Sequence, residues 1–90
     1  MKYRSRTEII EMILESTRTG ATKTKIMYKA YLSYAQVKEY LDFLVKGDLV
    51  TYEEGSQLYR VSQKGLHFLN VYSEIGDMLV PKPSKRIIEL

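Results

Sequence analysis

The 90-residue chain contains no cysteine, so it can build neither a disulfide framework nor a thiolate metal site. It has one histidine, His67, with no second ligand at metal-site spacing, and no glycine-rich phosphate loop. Neither catalysis nor a cofactor is expected from so short a supply of nucleophiles and ligands. No stretch approaches the roughly 18 apolar residues that a bilayer span requires. The first ten residues, MKYRSRTEII, are charged from the start and do not read as a secretory leader. A soluble cytoplasmic protein with no membrane partner is the expectation. One further absence is local: from Arg18 to Lys38 there is no acidic residue at all.

That acid-free segment holds five bases, Arg18, Lys23, Lys25, Lys29 and Lys38. The rest of the chain carries nine basic and eleven acidic residues, so the net charge of +3 arises in this one place. A local basic patch attracts a polyanion far better than the same charge spread evenly. Hydrophobic residues make up 44% and charged residues 28%, a balance that favours one small folded domain over disorder.

Along the chain, Ser5-Arg6-Thr7-Glu8 has the form of a capping box and opens a first helix. Ile9, Ile10, Ile13, Leu14 and Thr17 share its buried stripe, and Gly20 reads as its left-handed stop. Thr22 caps a short second helix over Lys23 to Ala30, burying Ile26, Met27 and Ala30. Ser33-Tyr34-Ala35-Gln36 is a second capping box and starts a third helix that runs to about Lys46. Its expected buried stripe is Val37, Leu41, Leu44 and Val45, with Gly47 as its stop. Only Tyr31 and Leu32 lie between helices two and three, which forces a sharp helix-turn-helix. Leu49 to Tyr52 and Leu58 to Val61 then read as a hairpin around a glycine-containing turn. Ala21-Thr22 is placed to add a very short third strand. Ser62 caps a last helix over Gln63 to Leu79, which Pro81 and Pro83 end.

The expected fold is therefore α+β and mostly α: a winged helix-turn-helix of three helices, a two-stranded wing and a C-terminal helix. The division read from the sequence is a winged domain over residues 1–61, a dimerisation helix over 62–80 and a flexible basic tail over 81–90.

The run GATKTKIMYKAYLSYAQVKEYLDFLVKGDLV, continued by QLYRVSQKGLHFL, closely resembles the small archaeal winged-helix DNA-binding proteins. That family is described both as chromatin-associated proteins and as predicted transcriptional regulators. The resemblance covers about Ser5 to Leu79, and its most specific parts are Lys25 to Tyr28, Leu32 to Tyr34 and Ser62 to Gly65. It implies double-stranded DNA as ligand and a homodimer joined through the last helix. In some members that helix is a longer coiled coil, whereas here the prolines cut it short.

The residues themselves point the same way. Lys23, Lys25 and Lys29 belong to the element that crosses the DNA backbone in this architecture, and flexible ammonium groups suit phosphates. Tyr40 and Tyr31 read as half-buried rings; for Tyr28 and Tyr34, scaffold and phosphate contact both stand. The third helix enters with Ser33, Tyr34 and Ala35. From it Gln36 could pair with adenine and Lys38 with guanine. Glu39 and Asp42 make its outward face nearly neutral, Lys38 and Asp42 being spaced to pair. Phe43 falls off the buried stripe, free to touch another element or a partner. Glu53 and Glu54 make the wing tip acidic, leaving Arg60, Gln57 and Ser56 as its contacts. On the last helix, Phe68, Tyr72, Ile75 and Leu79 follow coiled-coil spacing, widened by Val71 and Met78, while Leu66 and Leu69 face the domain's core. Nothing in the sequence suggests a small-molecule pocket. A nucleoid-associated duplex-binding protein is the leading expectation, either regulator or architectural. A protein–protein adaptor that does not bind DNA is the alternative, supported by the neutral third helix and acidic wing.

Overall fold

The computed structural model describes residues 4–80, and runs α1 (Arg6–Ser16), α2 (Lys23–Lys29), α3 (Tyr34–Lys46), β1 (Val50–Glu53), β2 (Leu58–Val61) and α4 (Gln63–Leu79). The fold is the expected mostly helical α+β arrangement, with three helices, an antiparallel two-stranded wing and a C-terminal helix. The helix-ending Pro81 and Pro83 and the flexible basic tail expected from the sequence lie outside the described residues. No helix among the described residues is long and apolar enough to cross a membrane.

Every helix starts where a hydroxyl can accept from its third amide. Ser5 accepts from Glu8 at 3.0 Å, Thr22 from Lys25 at 3.2 Å, Ser33 from Gln36 at 3.2 Å and Ser62 from Gly65 at 3.0 Å. Both expected capping boxes are complete, with Glu8 and Gln36 returning a side-chain oxygen to the cap amide.

α3 ends at Lys46 with Gly47 as its cap, as expected, but the end of α1 differs from the expectation. α1 stops at Ser16, and Gly20, at φ 93°, lies beyond the turn that follows. The buried Thr17 hydroxyl ends the helix by donating to the Leu14 carbonyl at 2.9 Å. Gly20 instead redirects the chain so that Ala21 can exchange two hydrogen bonds with Tyr59, at 2.9 and 2.8 Å. The expected third strand is this single bridge. At the end of α3, Gly47 has an ordinary φ of −87°, and Asp48 takes the left-handed position at φ 62°. The Leu49 amide then donates to the Leu44 carbonyl at 2.9 Å, closing a Schellman turn.

The core gathers Ile10, Ile13 and Leu14 of α1, Ile26 and Ala30 around α2, and Val37, Leu41 and Leu44 of α3. Val50 of β1 and Leu69 of α4 close it. Val45, expected on the buried stripe of α3, is 36% exposed. It lies one step round the helix from that stripe and faces the wing across a groove. β1 and β2 pair in register Val50 with Val61 through Glu53 with Leu58. α4 packs along α1, and its first half belongs to the domain: Leu69 is buried, with Leu66 and Phe68 packed against the core. Tyr72 stacks behind Phe68 at 6.2 Å between centroids. Beyond that point the helix runs into solvent.

Candidate nucleic-acid interface

α2 is too short for its own stability and is held by Ile26 and Ala30, both fully buried. Anchoring that side turns Thr24, Lys25, Tyr28 and Lys29 outward. Lys23 is half-buried at the helix entry, with its Nζ 5.4 Å from the centre of the Tyr34 ring. Among the described residues, no carboxylate lies within ion-pair distance of Lys23, Lys25, Lys29 or Lys38; the three ion pairs there use other bases. Among the described residues, the charge of these four lysines is therefore left for solvent or a ligand.

The turn joining α2 to α3 is a second Schellman turn, with Tyr31 in the left-handed region at φ 54°. The Leu32 amide donates to the Met27 carbonyl at 3.0 Å, and the buried Leu32 side chain pins the turn to the core. Arg4 completes it. Its guanidinium donates to the carbonyls of Ala30 and, at 2.9 Å, Tyr31. No local signal marks this role of Arg4, because these two carbonyls lie more than twenty residues away. Tyr40 is half-buried as expected, but Tyr31 is not: its ring is 78% exposed. A left-handed backbone throws that side chain away from the core.

The outward face of α3 carries Tyr34, Ala35, Gln36, Lys38, Glu39 and Asp42, all exposed. Gln36 is already engaged, since its Oε1 accepts from the Ser33 amide at 2.9 Å. A bidentate pairing with adenine needs that same oxygen, so the cap and the base compete for it. Asp42 pairs with Lys46 at 3.2 Å rather than with the expected Lys38. An acid four residues before a base is the favourable order on a helix, and the reverse is weaker. Arg6 of α1 lies 4.6 Å from the Phe43 ring centre and 5.3 Å from that of Tyr40. Phe43 therefore touches α1 from the flank of α3.

On the wing, Arg60 is tied to Glu53, Nε to Oε2 at 2.8 Å, and packs over Gly20. The pairing lowers the Glu53 carboxyl below its ordinary range, with Ser56 adding a hydrogen bond, and raises the Arg60 guanidinium. Tyr52 and Tyr59 form a tilted pair 4.7 Å apart. They wall a groove of about 620 Å³ against Leu41 and Val45 of α3, rimmed by Lys23 and Lys38. No such pocket was legible in the sequence, because its walls come from separate elements.

Of the helix-4 residues spaced for association, Phe68 and Tyr72 are half-buried against their own domain. Val71, Ile75, Met78 and Leu79 remain exposed, at 38%, 50%, 78% and 77%. His67 is exposed, and among the described residues no group of three or more His, Asp or Glu side chains is placed to hold a metal ion.

No curated protein matches the chain. Among solved structures, that of Sso10a-2, a DNA-binding protein from Sulfolobus solfataricus, is similar to it at 24% identity with a TM-score of 0.63. The match covers 88% of this chain and 100% of that one, and at such identity the likeness speaks for the fold. A sequence profile described as winged helix-turn-helix matches residues 3–80, and by that match, which takes in every element from α1 to α4, the chain belongs to the winged helix-turn-helix family.

Proposed function

We propose that the protein binds duplex DNA without catalysing a reaction. Lys23, Lys25 and Lys29 meet phosphates, and the start of α3 (Ser33, Tyr34, Ala35, Gln36 and Lys38) lies against the major groove. The observation that carries this reading is the set of lysines on α2 that have no acidic partner among the described residues, α2 being the element that crosses the backbone when a helix-turn-helix docks. The likeness to a DNA-binding protein of the same fold supports it. Tyr28 adds a hydroxyl beside the lysines, whereas Arg60 contributes little while Glu53 holds it. The exposed distal part of α4 joins two copies, so that residues 62–80 serve both the domain core and the dimer.

Replacing Lys23, Lys25 and Lys29 with Ala tests the reading. Affinity for every duplex should fall alike, and the salt dependence should flatten by roughly 0.9 slope units per lost phosphate contact. An unchanged slope would show those lysines to be a solvated face. A regulator and an architectural protein separate on the affinity ratio between the best site and random duplex, large for the first and near one for the second.

The protein–protein adaptor keeps one specific support: Glu39 on α3 and Glu54 on the wing are exposed acids, on the two elements that a docked duplex would meet. An adaptor gives no shift with random duplex at low salt.

A further inference from the structure

Tyr31 stands in a left-handed backbone conformation, φ 54°, with 78% of its surface exposed. For a residue with a Cβ that conformation costs about 1–2 kcal/mol, and glycine is the usual occupant of this position in a Schellman turn. Here the cost is not offset by burial. The ring contributes little to the domain's own stability, and a strained, exposed side chain points to a role outside the fold.

It is not alone. Tyr28 is 71% exposed and Tyr34 is 60% exposed, so three largely solvent-facing phenols fall within seven residues around one turn. Among the described residues the close ring pairs are Tyr52 with Tyr59 and Phe68 with Tyr72, which leaves these three without an aromatic partner. Lys23 lies over the Tyr34 ring, and Lys25 and Lys29 share the outward side of α2 with Tyr28. A phosphate contact uses only the hydroxyl, which serine or threonine supplies with less exposed apolar surface. Intact duplex offers no base faces to a ring, because its bases are stacked on each other.

Rings interleaved with ammonium groups fit a different ligand: unpaired bases that stack while their phosphates meet lysine. We propose that the α2–α3 turn is a stacking platform for single-stranded DNA, with Tyr28, Tyr31 and Tyr34 receiving bases and Lys23, Lys25 and Lys29 following the backbone. This rests on the nucleic-acid reading above for its lysines but adds a ligand that reading does not include.

The test is anisotropy of fluorescein-labelled dT20 and of a random 20-base-pair duplex, each titrated at low salt with the full chain. The informative variants are Tyr31→Gly and Tyr31→Phe. Tyr31→Gly relieves the backbone cost, so the protein should unfold at equal or higher urea while its dT20 affinity falls by roughly tenfold, the scale of one lost stack. Its duplex affinity should stay within about twofold, because no duplex base stacks on the ring. Tyr31→Phe should retain dT20 binding, since the ring and not the hydroxyl is used. Equal loss in Tyr31→Phe and Tyr31→Gly, parallel loss on dT20 and duplex, or no dT20 binding by the wild type would each overturn the platform. The last of these, with duplex binding intact, leaves the duplex reading standing; failure on both ligands removes both.

Discussion

A Cβ on Gly65 would fall on the carbonyl oxygen of Leu49 and within 2.6 Å of Val61 Cγ2. The first turn of α4 therefore lies directly against the backbone entering the wing, an approach that only glycine permits. The Ser62 amide donates to that same Leu49 carbonyl at 3.0 Å, and Lys64 reaches the Gly47 carbonyl at 2.9 Å. The start of α4 is thus locked to the end of α3, which gives Ser62 to Gly65 a physical reason to be specific.

The two glycines of α4 should respond oppositely to alanine. Gly65→Ala overpacks the joint and should cost roughly 1–3 kcal/mol in urea denaturation. At Gly76 a Cβ meets nothing within 4 Å, so Gly76→Ala should stabilise by about 0.5–1 kcal/mol through helix propensity alone.

Arg4 should behave as a brace for the helix-turn-helix. Arg4→Ala removes both donors to the Ala30 and Tyr31 carbonyls at a partly exposed site, a loss of about 1 kcal/mol. Amide exchange at Tyr31 and Leu32 should accelerate more than exchange within α1. Arg4→Lys should not restore protection fully, since one ammonium lacks the forked donors that span two carbonyls.

Glu53 should restrain Arg60. The folded Glu53 pKa is depressed, so the pair contributes stability above the unfolded carboxyl range and loses it as pH falls through the folded value. At neutral pH the pair is intact. Glu53→Gln frees the guanidinium for phosphate, so duplex affinity at low salt should rise and the salt slope should steepen by about 0.9. Were affinity unchanged, Arg60 would lie off the duplex path.

The exposed end of α4 should govern assembly. Ile75→Glu puts a charge into the proposed contact, which costs several kcal/mol if it is buried unpaired. Sedimentation should then show a monomer with an unchanged far-ultraviolet circular dichroism spectrum, because Ile75 is outside the domain's core. Duplex affinity should fall with it, as linked binding is lost. A variant that stays dimeric would place the contact elsewhere.

Elements with a local cause were legible in the chain. The caps at Ser5, Thr22, Ser33 and Ser62 depend on groups three residues apart, and the stripe Val37, Leu41, Leu44 follows helical period. Such features place the helices to within a residue or two and the wing between them. The acid-free segment from Arg18 to Lys38 was equally plain, since charge is a property of composition.

What the sequence by itself determined, then, is the order of elements, their starts and the basic character of α2. The tertiary structure alone decided which residues would be spent inside the fold. Phe68 packs on α1's core because α4 folds back over it, Arg60 is taken by Glu53 across the hairpin, and Arg4 reaches a turn 26 residues away. It also decided that Tyr31 would point into solvent, since Leu32 must be buried for the turn to close and the left-handed residue before it cannot be. Local hydrogen bonds and periodicity act over about one helical turn. Partner choice among distant side chains depends on how the packed elements cross, and no short window of sequence contains that.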